Sequence, residues 1–86
     1  MNGPGPADLP FFRKLANGTS YYHVHQLDHF TELQLVGSRC VEHQVEVRSY
    51  PERVLLVALY HGDDGRYLPI NEDEFQAVRA RCSTGG

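Results

Sequence analysis

The stretch Val54-Leu55-Leu56-Val57-Ala58-Leu59-Tyr60 is the one uninterrupted apolar run in the chain, and it constrains the fold more than any other feature. Turn chemistry bounds it on both sides, with Tyr50-Pro51-Glu52-Arg53 before it and His61-Gly62-Asp63-Asp64-Gly65 after it. Its length suits a strand and is short for a helix, and Val and Tyr favour the extended chain. A run without polar alternation has both faces covered. The expectation is an interior strand of a small sheet, with apolar material on either side.

The rest of the chain supplies its neighbours. Phe11–Ala16 and Thr19–Leu27 flank Asn17-Gly18, a strong hairpin signal. A rival reading gives Pro10–Leu15 one or two helical turns capped by Asn17-Gly18. Phe30–Val36 is a strand, followed by a turn at Gly37-Ser38-Arg39. Cys40–Arg48 alternates cleanly, with Val41, Val45 and Val47 against Glu42, Gln44, Glu46 and Arg48. Arg66–Ile70 is a short last strand. Asn71 then reads as an N-cap with Glu74 three residues on, and Glu72, Asp73 and Glu74 sit at the positive end of a helix. Phe75, Val78 and Cys82 form its apolar stripe, and Arg79 and Arg81 fall in its last turn.

These elements make an α+β domain over residues 11–82. Short connections make a strongly twisted antiparallel β-meander of five or six strands, with the one C-terminal helix packed on it. A partly open barrel is the alternative. Residues 1–10 and 83–86 read as flexible ends, since Gly3, Pro4, Gly5, Pro6 and Pro10 crowd the first and Gly85-Gly86 closes the second.

Composition narrows the function. A chain of 86 residues holds one domain. A net charge of −3 and scattered basic residues argue against nucleic acid. No stretch approaches the roughly 18 apolar residues of a membrane span. Met1–Pro10 lacks the pattern of a signal peptide. Two cysteines, Cys40 and Cys82, are few for a secreted disulfide scaffold, so the expectation is a cytoplasmic protein with both thiols reduced; a Cys40–Cys82 bridge is the alternative.

Candidate sites follow from register. Pairing Val36 with Cys40 and Leu27 with Phe30 puts Tyr22, Val24, Leu33, Leu35, Val41, His43, Val45 and Val47 on a core face under the helix. The other face then carries Tyr21, His23, His25, Glu32, Gln34, Cys40, Glu42 and Gln44. His23 and His25 stand about 6.6 Å apart at Cα on one strand. With Glu32 and Glu42 they are candidate metal ligands, since two imidazoles and a carboxylate can close round an ion and leave one position for water. The simpler reading is that the same groups are cross-strand polar pairs on a solvated sheet face. Tyr22, His43, Tyr60 and Tyr67 are candidates for a ligand pocket between sheet and helix. Leu55, Val57 and Leu59, with Phe30 and Tyr21, are candidates for an interface, because one helix covers only one face of the sheet. The function expected is a non-catalytic interaction or binding module, a homodimer or bound to a protein partner, with no cofactor; metal binding or metal-assisted hydrolysis and small-molecule binding are the alternatives.

Overall fold

The computed structural model describes residues 3–82. A 3-10 turn at Pro6–Asp8 leads into β1 (Phe11–Leu15), β2 (Ser20–Gln26), β3 (His29–Val36), β4 (Arg39–Glu46), α1 (Tyr50–His61), β5 (Tyr67–Pro69) and α2 (Glu72–Arg81). The strands form one antiparallel sheet in the order β4-β3-β2-β1-β5. Strands β1 to β4 are the expected meander. Helix α1 then carries the chain back across the sheet, so that β5 pairs with β1 at the far edge. The sheet is open, with β4 and β5 as its edges, rather than closed into a barrel.

The run at 54–60 is the main correction: it is the body of helix α1, not an interior strand. Local chemistry starts and stops it. Glu52 Oε1 accepts from Ser49 N at 2.9 Å, Ser49 Oγ at 2.7 Å and Arg48 N at 3.2 Å. These bonds satisfy donors ahead of the first turn, and they hold the Glu52 carboxyl below its ordinary pKa. Pro51 lies in that first turn, where a missing N–H costs nothing. Gly62 ends the helix in the left-handed region at φ 87°, donating its N–H to Ala58 O at 2.8 Å. Between the caps, Leu55, Leu56, Ala58 and Leu59 are good helix formers.

The expectation that both sides of the run need cover survives in part, because Leu56 and Leu59 bury against the sheet. With Phe11, Tyr22, Val24, Phe30 and Tyr67 they form one core. Arg13 locks α1 in place. Its Nε donates to Leu59 O at 2.9 Å, its Nη2 to Tyr60 O at 3.4 Å and its Nη1 to Phe12 O at 2.8 Å, and the guanidinium lies 4.7 Å from the Phe11 ring centroid.

Helix α2 is as expected from the sequence. Asn71 Oδ1 accepts from Glu74 N at 2.8 Å, and Phe75, Val78 and Cys82 are buried. They join Phe12 and Leu33 in a second core. Phe11 and Phe12 are adjacent in β1, so the two cores lie on opposite faces of the sheet. The result is three layers: α1, sheet, α2. Three ties fasten α2 across the strands. Lys14 on β1 meets Glu74 at 3.4 Å, Glu42 on β4 meets Arg79 at 3.1 Å, and Cys40 on β4 is disulfide-bonded to Cys82. That bond replaces the two reduced thiols expected. Cys40 is the second residue of β4 and Cys82 caps α2, and laying the helix stripe on the sheet brings their Cα atoms to 4.6 Å.

Register also differs from expectation, by one residue between β3 and β4 and by three between β2 and β3. The β3–β4 loop is two residues, Gly37-Ser38, with Gly37 at φ 61°, so Val36 pairs with Arg39 and Leu33 with Glu42. Between β2 and β3 the turn is Leu27-Asp28, with Gln26 on His29, and a bulge between Val24 and Gln26 adds one residue more, so Val24 pairs with Phe30 and Tyr22 with Glu32. The expected face assignments therefore do not hold: Leu33 and Leu35 share the α2 face with Tyr21 and His23, and Glu32 and Gln34 share the α1 face with Tyr22 and Val24. The first hairpin is present, but its loop is Ala16–Thr19, held by Asn17 Oδ1 accepting from Thr19 N at 3.0 Å. The rival helical reading of 10–15 is not realised. Pro6–Asp8 forms the 3-10 turn, and Leu9 packs against the α1-side core. Residues 1–2 and 83–86 lie outside the described residues.

Candidate functional site

The histidine patch assembles differently from its sequence outline. His23 lies under α2, stacked on Phe12 at 4.4 Å between ring centroids and edge-on to Phe75 at 5.5 Å. His25 follows at 5.1 Å from His23, and His29, the first residue of β3, stands 5.4 Å beyond. The three rings form a row running out from beneath the helix. Burial lowers the pKa of His23 and His25, and each is lowered further by the next histidine in the row. Arg79 acts on His23 in the same direction and Glu72 opposes it.

The two carboxylates expected beside these rings are not free to join them. Glu32 pairs with Tyr22 and His43 and faces α1, the side of the sheet opposite His23. Glu42 is on the α2 face, but Arg79 holds both of its oxygens, Nε to Oε1 at 3.2 Å and Nη2 to Oε2 at 3.1 Å. Gln44 Nε2 donates to Glu42 Oε2 at 2.9 Å, and Gln44 Oε1 contacts His29 Nε2 at 2.8 Å and Thr31 Oγ1 at 3.1 Å. Arg79, Glu42, Gln44 and His29 thus form one polar chain along the margin of α2. Among the described residues, no three His, Cys, Asp or Glu side chains are arranged to hold a metal ion.

The pocket candidates divide. Tyr22 and Tyr67 pack edge to face at 5.8 Å inside the α1-side core. Burial, and after it the charge of Glu32, raises the Tyr22 phenol well above its ordinary pKa. Tyr60 lies over Phe11 at 5.7 Å. His43 is on the exposed part of β4, its Nε2 3.2 Å from Gln34 Oε1. The interface candidates divide too. Phe30 and Leu59 are fully buried within the chain, Leu55 packs against the α1-side core and Tyr21 against the α2-side core.

Val57 leads elsewhere. It lies on the outer side of α1, in an open groove lined by Tyr50, Arg53, Val54, Val57, Ala58, His61, Asp63 and Asp64. Tyr50 is 78% exposed and Val54 48%. Tyr50, Val54, Val57 and His61 follow the 4-3-4 spacing of a helix–helix seam. Leu59 points away from this stripe, into the core. Asp63 and Asp64 sit beyond the helix end in a left-handed turn, at φ 48° and 57°. Gly3 touches one flank of the stripe, since a Cβ there would come within 3.2 Å of Val57 Cγ2. The sequence signal for this surface was the same unbroken run, which has apolar residues left over once one side of a helix is buried.

No helix among the described residues is long and apolar enough to cross a membrane. The chain matches no family model, no curated protein and no solved structure.

Proposed function

We propose that this protein is a non-catalytic interaction module whose working surface is the outer side of α1. One observation carries the reading: the helix is apolar on two sides, one packed on the sheet and the other exposed, among the described residues, at Tyr50 and Val54, with Val57 half-buried beside them. An apolar stripe rimmed by charged residues is the anatomy of a protein-binding surface. Metal binding ranks behind this reading, because Glu32 faces away from the histidines and Arg79 occupies Glu42. A ligand pocket ranks behind it as well, because Tyr22 and Tyr67 are packed in the core. The bonded Cys40–Cys82 pair favours an oxidising compartment over the cytoplasm.

Site-specific photo-crosslinking tests the surface. A benzophenone side chain placed at Val54 is expected to give a discrete cross-linked product that the same group at Arg81 does not give. A Val57→Glu substitution is expected to remove that product. Equal, diffuse labelling from both positions would end the proposal.

A further inference from the structure

We infer that the outer side of α1 docks on the same helix of a second copy of this chain, antiparallel, about a two-fold axis. The inference rests on the interaction reading above and names its partner. The charges around the stripe select the arrangement. Arg53 lies toward the start of α1, and Asp63 and Asp64 lie just past its end, all three lining one groove. A parallel pair would set Arg53 against Arg53 and the aspartates against each other. An antiparallel pair sets the basic end of each helix over the acidic end of its partner, and does so twice.

The stripe has the same self-complementarity. A two-fold axis between Leu55 and Leu56 along the helix sets Val54 of one copy on Val57 of the other, and Tyr50 on His61. At 1.5 Å of rise per residue, Arg53 then stands about 4.5 Å along the axis from the end of the partner helix, which puts the acidic turn just beyond that end inside the reach of an extended arginine. The helix dipoles run head to tail, which adds in the same direction. The surface closes on itself, so pairing stops at two copies. One helix of 12 residues makes a contact at the small end of specific interfaces, so the dissociation constant is expected at about 1–100 µM.

Sedimentation velocity over a concentration series tests the arrangement through a charge swap. The wild type is expected to pass from monomer to dimer. Arg53→Asp alone and Asp63→Lys with Asp64→Lys are each expected to weaken dimerisation about tenfold or more. A one-to-one mixture of the two variants is expected to recover it, because both charge pairs are then restored in the heterodimer. Circular dichroism checks that each variant is folded. Should the lysine variant unfold in its left-handed turn, Asp63→Asn with Asp64→Asn replaces it, and its mixture with Arg53→Asp is expected to bind better than either alone. A wild type that stays monomeric to about 1 mM overturns the inference, as does a mixture no better than its components. Photo-crosslinking from Val54 to a different protein would overturn it too, while leaving the interaction surface standing.

Discussion

Reducing the Cys40–Cys82 bond is the most informative perturbation of the fold. The bond closes a loop across 42 positions of sequence and fixes the end of α2 to β4 at the sheet edge. In the chain-entropy treatment a loop of that length restrains the unfolded chain by about 4 kcal/mol at 25 °C. A domain of this size has roughly 5–15 kcal/mol of stability in all. Reduction should therefore remove a large share of it and lower the melting temperature by about 15–30 °C. The assay is a pair of urea melts followed by circular dichroism, with and without a phosphine reductant, the redox state confirmed by a two-hydrogen mass change. A variant with alanine at both cysteines should follow the reduced protein. Hydrogen exchange should show the loss first in the last turn of α2, where Val78 and Cys82 are buried against Leu33. Oxidised and reduced melts agreeing within about 0.5 kcal/mol would refute the entropic reasoning, and free thiols in protein kept under oxidising conditions would refute the pairing itself.

Arg13→Met is expected to cost about 2 kcal/mol, since it removes the charged donors from the Leu59 and Tyr60 carbonyls at the end of α1; equilibrium unfolding in urea checks this. Asn71→Ala is expected to cost about 1 kcal/mol by leaving Glu74 N without its cap, with the same readout. His23 and His25 both titrate below their ordinary pKa in the folded protein, so the unfolded chain takes up protons first as pH falls. Their contribution to stability is complete above about pH 6.5 and declines below it. Urea midpoints measured from pH 7.5 down to 5 should fall, and His23→Gln should flatten the slope; a midpoint rising toward pH 5 would contradict the burial of this ring.

What was legible in the sequence was local. Asn71 and Glu74, with the Phe75–Val78–Cys82 stripe, define α2, because cap, charge and period agree within one helix length. The turn signals at Asn17-Gly18 and Gly37-Ser38-Arg39 and the alternation of β4 mark the meander, though not its exact loop bounds. The α1 segment was misread although its start was written in Ser49 and Glu52, a helix-start signature ahead of an apolar run. Pro51 serves a turn and a first helical turn equally well. Where a run is apolar on every side, no polar residue marks its period, and strand and helix look alike.

Register was lost for a related reason. A sheet covered by a helix on each face wants apolar residues on both, so a shift of one residue, as between β3 and β4, or of three, as between β2 and β3, exposes little and the pattern does not forbid it. The bulge at Val24/Gln26 and the two-residue loop at Gly37-Ser38 settle the matter by hydrogen bonding between strands. That shift separates Glu32 from His23 and lines up His25 with His29.

Turn positions and the capped C-terminal helix follow from local sequence, because bonds and dihedrals within a few residues specify them. Which face each side chain joins, that Cys40 meets Cys82, and that α1 leaves Tyr50 and Val54 exposed among the described residues are outcomes of the tertiary structure. Those outcomes depend on contacts between residues far apart in the chain, which are fixed only when the layers close on one another.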